Sequence, residues 1–146
     1  MCVVVVNFVE AFRAAPMDRI RLIKQGVSAR VLGQMAKKMS ISKEWLAGML
    51  GLVLVTVDSK VREYEPLSVD EGSRVLGMAS LIGRVQTMVE ESGNPEGFNA
   101  AEWVGRWIER PLPALGGQKP AELMDTFDGQ MLVSGIVARM QSGEYL

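Results

Sequence analysis

The side chains that most often carry out catalysis are scarce in this chain of 146 residues. It contains no histidine and a single cysteine, Cys2. The absence of histidine excludes the commonest general base, the commonest zinc ligand and every triad that depends on an imidazole. The lone thiol has no histidine to activate it and allows no disulfide framework, so the reducing cytoplasm is the expected compartment.

Two carboxylate pairs and one glycine-rich stretch are the remaining candidates for chemistry. Glu90 and Glu91 are adjacent on a predicted helix, where neighbouring side chains point apart, and helix capping or solvation explains Asp125 and Asp128. The stretch GGQK at 116–119 lacks the spaced first glycine and the following Ser or Thr of a phosphate-binding loop. The sequence therefore predicts no enzyme, no cofactor and no metal site.

Hydrophobic periodicity predicts an all-α fold. Helices are expected at residues 17–25, 28–39, 42–50, 69–91, 99–109 and 127–141. The longest begins with the capping-box spacing Ser68-x-x-Glu71. The last has an apolar stripe composed of Leu132, Val133, Ile136, Val137 and Met140. Residues 52–57, LVLVTV, are ambiguous, because four of the six are β-branched, as in a strand, yet no partner strand is evident nearby.

The ambiguous stretch also fits the second helix of a helix-turn-helix. Ala47 would lie where the two helices touch, Gly51 at the turn, and Val57 beneath a second helix at about 54–64. The side chains that this helix would present to a major groove or its phosphates are Thr56, Ser59, Lys60 and Arg62. Asp58 within the same segment repels phosphate, and an ordinary helical hairpin with a glycine turn is the alternative interpretation.

The charges divide the chain into a basic and an acidic half. Residues 1–62 contain ten Lys and Arg against four Asp and Glu, and residues 63–146 contain six against thirteen, which gives the net charge of −1. The asymmetry suggests two different partners, with nucleic acid as a candidate for the basic half. Two solvated faces of one domain would give the same counts. The run VVVV at 3–6 is far shorter than the roughly 20 residues that span a bilayer, so no membrane association is expected.

Residues 110–120, RPLPALGGQKP, predict a rigid loop between two helices. The first two prolines would end the preceding helix, the two adjacent glycines permit a turn that other residues would strain, and Pro120 suits the start of the next helix. The preceding helix carries Trp103 and Trp107 one turn apart, which serve either as core anchors or as an aromatic contact for a partner. The loop is expected to set a defined angle between the last two helices.

From about Gln25 to its end, the chain resembles the antitoxins of RES–Xre toxin–antitoxin modules and the related MbcA/ParS group. LAGMLGLVLVTV and LSVDEGSRVLGMASLIGRV resemble the family's Xre-like helix-turn-helix and the helix that follows it, although Gly77 and Ser80 replace typical arginines. The segment WIERPLPALGGQKPAELMDTFDGQMLVSGIVARMQSGEYL is similar to the toxin-binding domain. The positions that match its pattern are Trp107, Pro111, Leu115, Gly116, Gly117, Pro120, Glu122, Leu123, Thr126, Gly129, Arg139 and Gly143.

The resemblance implies a cytoplasmic bacterial antitoxin that is not an enzyme. Such a protein binds and inhibits a RES-domain toxin that degrades NAD+, and its helix-turn-helix domain dimerises and binds the operator of its own operon. The implied domains are an extension at 1–16, an Xre-like domain at 17–92 and a toxin-binding domain at 93–146. The residues expected to reach the toxin are Arg139, Gly143, Glu144, Tyr145 and Leu146. A stand-alone helix-turn-helix transcriptional regulator is the alternative.

Overall fold

A computed structural model of the chain describes residues 7–93 and 95–141. Within these residues the chain forms eight α-helices and two short 3-10 helices. The α-helices are α1 Phe8–Arg13, α2 Pro16–Gln25, α3 Arg30–Met39, α4 Lys43–Met49, α5 Leu54–Glu63, α6 Val69–Glu91, α7 Ala100–Trp107 and α8 Phe127–Gln141. The 3-10 helices are Pro113–Leu115 and Pro120–Leu123. The prediction of an all-α fold is confirmed, and each of the six predicted helices is present with ends displaced by at most two residues.

The predicted capping box at the start of α6 is present. The Glu71 amide donates to the Ser68 hydroxyl over 3.1 Å, and the Ser68 amide donates to Glu71 Oε1 over 2.8 Å. These two bonds satisfy amide groups that the first turn of a helix leaves without intrahelical partners. The side chains of Ser42 and Asn99 begin α4 and α7 in the same way, each accepting one backbone N–H.

The ambiguous residues 52–57 belong mainly to α5, which begins at Leu54. Leu52 and Val57 are buried in the core, whereas Val53 and Val55 face solvent. The β-branched composition is overridden because a helix buries Val57, and a strand here would need a partner. Among the described residues, strand-like pairing is reduced to an isolated antiparallel bridge between Ser28 and Pro66.

The long helix α6 lies at the centre, and α1, α7 and α8 pack around it. Helix α1 was not predicted, and it lies in the extension at 1–16, to which no structure was assigned from the sequence. A Cβ atom at Gly83 would overlap the carbonyl group of Phe8, so the backbones of α1 and α6 approach each other as closely as glycine allows. Cys2 and the run at 3–6 lie outside the described residues.

The buried apolar residues form one continuous core. It includes Leu32 and Met35 from α3, Ile82 from α6, and Ile136 and Val137 from α8. Residues from both sides of the predicted domain boundary at 92/93 contribute to this core, and the boundary itself stays a prediction. Over residues 7–93 and 95–141, no helix has the length and apolar character needed to cross a bilayer.

Candidate functional site

Helix α7 is anchored in the core through its tryptophans. Trp107 is 5% exposed, and its ring stacks on that of Trp103 with 5.6 Å between centroids. Phe98 extends this cluster, at 6.4 Å from Trp103. Helix α7 also contacts α3. A Cβ atom at Gly105 would lie 2.8 Å from the Met39 carbonyl oxygen, so α7 packs directly against the end of α3. Of the two roles predicted for this pair, the core anchor describes Trp107.

The loop after α7 is closed by its own backbone hydrogen bonds. The Leu112 amide donates to the Gln118 carbonyl over 3.1 Å, and the Gly117 amide donates to the Leu112 carbonyl over 2.9 Å. Gly116 and Gly117 have φ angles of 65° and 90°, in the left-handed region that favours glycine, as the sequence predicted. A further bond of 2.9 Å from the Ala121 amide to the Ile108 carbonyl ties the second 3-10 helix to the end of α7. The loop is therefore a fixed connection between α7 and α8.

The start of α8 explains the spacing of Thr126 and Gly129. The Thr126 hydroxyl accepts the Gly129 amide over 2.9 Å, which is the bond of a helix N-cap. A Cβ atom at Gly129 would overlap the carbonyl oxygen of Leu123. The turn before α8 thus brings two backbone segments into direct contact, and a larger residue at position 129 would separate them.

Gln130 fastens the start of α8 to α6. Its side-chain amide donates to the Met124 carbonyl over 2.9 Å and to the Arg74 carbonyl over 3.1 Å. The side-chain oxygen of Gln130 occupies the space that a Cβ atom of Gly77 would take. Gly77, one of the departures from the family pattern, is therefore the residue that admits Gln130.

One face of α8 leaves apolar side chains exposed. Phe127 is 73% exposed, Met131 58% and Leu132 49%, and their spacing places them within two turns of each other. We call these three residues the α8 patch. The apolar stripe predicted for this helix includes Leu132, which is exposed, whereas its members Val133, Ile136 and Val137 are buried. Three large apolar side chains exposed within two turns of one helix make the α8 patch a candidate contact surface for another molecule.

The two helices α4 and α5 meet at a turn that Arg74 holds. Gly51 has a φ of 68°, and Ala47 and Val57 are buried, in agreement with the roles expected for them. One guanidinium nitrogen of Arg74 donates to the carbonyls of Leu50 and Gly51, over 2.9 Å and 3.0 Å. These bonds satisfy carbonyl groups at the end of α4. The pair has the order and turn expected of a helix-turn-helix, and its binding of DNA stays a prediction.

Two charged side chains of α5 are engaged within the protein. Lys60 forms an ion pair of 2.6 Å with Glu71, and Asp58 forms one of 2.5 Å with Lys43. Burial raises the pKa of Glu71, but the hydrogen bonds from Lys60 and Ser68 and the charge of Lys60 outweigh it, so the pKa lies below its usual value. Of the other predicted DNA contacts, Thr56 and Arg62 are exposed and Ser59 is half-buried.

Comparison with known proteins identifies a family domain in the C-terminal part of the chain. Residues 96–143 match the family model described as the antitoxin Xre/MbcA/ParS C-terminal toxin-binding domain. The chain is also 43% identical over 134 residues to a protein named Prs ADP-ribosylating antitoxin from Sphingobium sp. (strain YBL2), covering 92% of this chain and 84% of that protein. The chain belongs to the Xre/MbcA/ParS family of antitoxins.

A second relative of this antitoxin is more distant. The protein named Antitoxin Xre from Pseudomonas putida is 23% identical over 90 residues, which cover 62% of this antitoxin and 51% of that protein. The family match includes α7, the closed loop and α8, so the rigid connection and the α8 patch both lie within the toxin-binding domain.

The predicted toxin contacts lie at the far end of the same domain. Arg139 is exposed in the last turn of α8, and Gly143, Glu144, Tyr145 and Leu146 lie outside the described residues. Phe127 and Met131 were not among the contact candidates predicted from the sequence. The pattern that could have revealed them is the pair of large apolar residues one turn apart, on a different face from Val133, Ile136 and Val137.

Proposed function

We propose that this antitoxin neutralises a cognate RES-domain toxin by covering the entrance of the toxin's active site. The observation that carries the proposal is the match of residues 96–143 to the family's toxin-binding domain. The end of α8 with Arg139, and the tail residues Gly143, Glu144, Tyr145 and Leu146, would enter or border that entrance. The carboxylate of Glu144 suits a basic cleft that normally accepts the phosphates of a dinucleotide.

The rigid connection before α8 supports this proposal. The hydrogen bonds from Leu112 to Gln118 and from Ala121 to Ile108 fix the loop without help from a partner. Binding by a preformed surface avoids much of the entropy that ordering a flexible one would cost. The α8 patch then provides apolar contact area at the start of the helix that leads to the tail, as in the core of a protein interface.

The reaction proposed for the toxin begins with NAD+. The Sphingobium relative is named for ADP-ribosylation of Prs, and an ADP-ribosyl transfer breaks the bond between the ribose and nicotinamide of NAD+. Hydrolysis of NAD+ breaks the same bond, with water as the acceptor. Because both reactions release nicotinamide, nicotinamide release measures the toxin whichever acceptor it uses.

The test uses the RES-domain protein that this proposal expects to be encoded beside this chain. Nicotinamide release from NAD+ is measured for the toxin alone, with the full antitoxin, and with an antitoxin truncated after Gln141. The full chain should abolish release and the truncated chain should restore most of it, while the two antitoxins unfold at the same temperature. Complete inhibition by the truncated chain would show that the tail does not cover the active site.

The α8 patch is tested separately. Replacing Phe127 and Met131 with serine should weaken binding to the toxin by about 30-fold, the effect expected when a hot spot is lost. Met17 and Ile20 on α2, which are 58% and 44% exposed, provide the control double substitution. Equal loss in both variants would point to a general effect of surface polarity, in contradiction to a contact at α8.

The second part of the proposal is that the antitoxin acts as a cytoplasmic homodimer that represses its own operon through α4 and α5. The Gly51 turn and the exposed Thr56 and Arg62 support it. Binding to DNA from upstream of the gene should fall steeply as salt increases. The alternative, a stand-alone regulator, would be favoured by the same DNA binding without a RES-domain gene nearby and without inhibition of any toxin.

A further inference from the structure

A groove of about 410 Å³ lies between α4 and the second 3-10 helix. Its apolar lining comes from Trp45, Gly48 and Met49 on one side and Ala121 on the other, and Glu44 and Glu122 stand at its edge. We call it the α4 groove. One wall belongs to the matched toxin-binding domain, and the other belongs to α4, which lies outside that match.

The charges around the α4 groove are mainly negative. Glu109 also lines it and pairs with Lys119 over 3.5 Å, which leaves Glu44 and Glu122 as the uncompensated charges of the lining. Both of these side chains are exposed. Two carboxylates next to an apolar groove lining repel phosphate. They attract a cation that is attached to apolar methylene groups, as in an arginine or lysine side chain.

Trp45 gives the groove a specific feature for such a cation. Trp45 is 51% exposed, although its backbone amide donates to the Ser42 hydroxyl over 3.0 Å in the first turn of α4. The opposite wall is held by the bond from Ala121 to Ile108. An indole on a rigid helix beside carboxylates attracts a guanidinium or ammonium group through its ring face, and Trp and Arg are both enriched among the residues that dominate binding energy in protein interfaces.

We infer that the α4 groove is a second contact for the toxin and takes an arginine or lysine side chain from a basic segment of it. The inference rests on the proposed function, and it extends the toxin-binding surface from residues 96–143 onto α4. The groove is continuous with the matched domain through Lys119, Ala121 and Glu122. The cation lies over Trp45, between Glu44 and Glu122, with its methylene groups on Met49 and Ala121.

Gly48 makes it possible to fill the groove without disturbing the fold. A Cβ atom at Gly48 would meet nothing within 4 Å, and a longer residue is a better helix former than glycine. Gly48→Leu should therefore occupy the groove and keep the helix, and Gly48→Ala is its matched control.

The experiment measures the Kd of the purified toxin for full-length antitoxin variants. Trp45→Ala and Gly48→Leu should each weaken binding by about 30-fold, while Gly48→Ala and Tyr64→Ala, which removes another exposed aromatic ring, should bind as the unmodified chain does. Glu44→Gln combined with Glu122→Gln should weaken binding about tenfold and reduce its dependence on salt. Thermal unfolding of each variant verifies the fold.

Two outcomes would overturn the inference. If Trp45→Ala and Gly48→Leu bind and inhibit the toxin normally, the groove is no toxin contact, and the proposed function stands provided that truncation after Gln141 still abolishes inhibition. If the two variants change only the self-association of the antitoxin measured by sedimentation, the occupant is a second copy of this chain. Loss of affinity in both variants with unchanged self-association supports the inference.

Discussion

The backbones of the helical pair α4–α5 and of the segment from Phe98 to α8 are fixed in the same way. The exposed side chains of the two regions differ. Each region has glycine at a positive φ in a turn. In each, a long polar side chain also binds backbone carbonyls: Arg74, which belongs to α6, binds the turn of the first, and Gln130 does so within the second. In α5 the charges of Lys60 and Asp58 are paired internally, whereas α8 leaves its apolar patch exposed.

This difference shows how the two regions divide their residues between stability and contact. Lys60, one of the residues that the sequence offers to DNA in α5, pairs with α6 instead, and Asp58 pairs with α4. The residues that the sequence offers to the core in α8 partly remain outside it. The C-terminal region thus exposes apolar side chains that a partner can contact, whereas α5 has two of its charged side chains paired within the protein. This agrees with the toxin-binding domain that the family match identifies in the C-terminal region.

The largest effect is expected where the C-terminal backbone is tightest. Gly129→Ala would force a methyl group into the Leu123 carbonyl and should lower the free energy of unfolding by about 3 kcal/mol. Gly135→Ala on the same helix, where a Cβ atom meets nothing within 4 Å, should instead stabilise the protein by up to about 1 kcal/mol. Urea unfolding of both variants measures this; equal effects would mean that the turn relaxes around residue 129.

The corresponding change for the turn between α4 and α5 is Arg74→Met, in the adjacent helix α6. It removes the donors to the Leu50 and Gly51 carbonyls and should lower the free energy of unfolding by about 2 kcal/mol. Arg110→Met removes an exposed arginine and should change it by less than about 0.5 kcal/mol. A loss at Arg74 no greater than at Arg110 would show that water replaces the guanidinium at this turn.

A smaller effect is expected at Glu71, which joins α5 to α6 through Lys60. Because the folded pKa of Glu71 lies below its usual value, its ionised form adds stability above the unfolded pKa of about 4.3, and this stability is lost as pH falls through the folded pKa. Glu71→Gln should lower the free energy of unfolding at pH 7 by about 1 kcal/mol. The two proteins should converge at acid pH in denaturant titrations.

The exposed Glu63 on α5 provides the control for this titration. Glu63→Gln should leave both the stability at pH 7 and its decline at acid pH close to those of the unmodified chain. A Glu71→Gln protein that keeps the full acid dependence would place the responsible carboxylate elsewhere.

Six of the eight described α-helices and the capping box of α6 could be predicted from the sequence because their causes are local. Ser68 and Glu71 are three residues apart, and Gly116 and Gly117 determine their own turn. The contacts between distant segments could not be predicted in this way. Arg74 meets Leu50 across 24 positions and Gln130 meets Arg74 across 56, and no periodicity records such pairs.

The position of the candidate site in the chain could be predicted better than the side chains that form its surface. The family pattern identified the segment around the loop and α8, since prolines and glycines at fixed spacing are visible in sequence. It did not separate Leu132 from Val133, because adjacent helix positions differ in direction by 100° and the packing against α6 decides which is buried. The role of α4 in lining a groove depends on the fold alone.

The smallest predicted effect concerns DNA and tests whether ion pairing keeps α5 from its proposed ligand. Lys60 is bound to Glu71, so we expect its ammonium to make no phosphate contact, whereas Arg62 is exposed. Arg62→Gln should reduce the slope of log Kobs against log salt concentration by about 0.9, the value for one lost phosphate contact, and Lys60→Gln should leave the slope unchanged while lowering stability. Equal reductions would mean that DNA displaces Glu71 from Lys60 and that Lys60 contacts phosphate. In the complex with DNA, α5 would then present its charged side chains to a partner, as α8 presents its apolar ones.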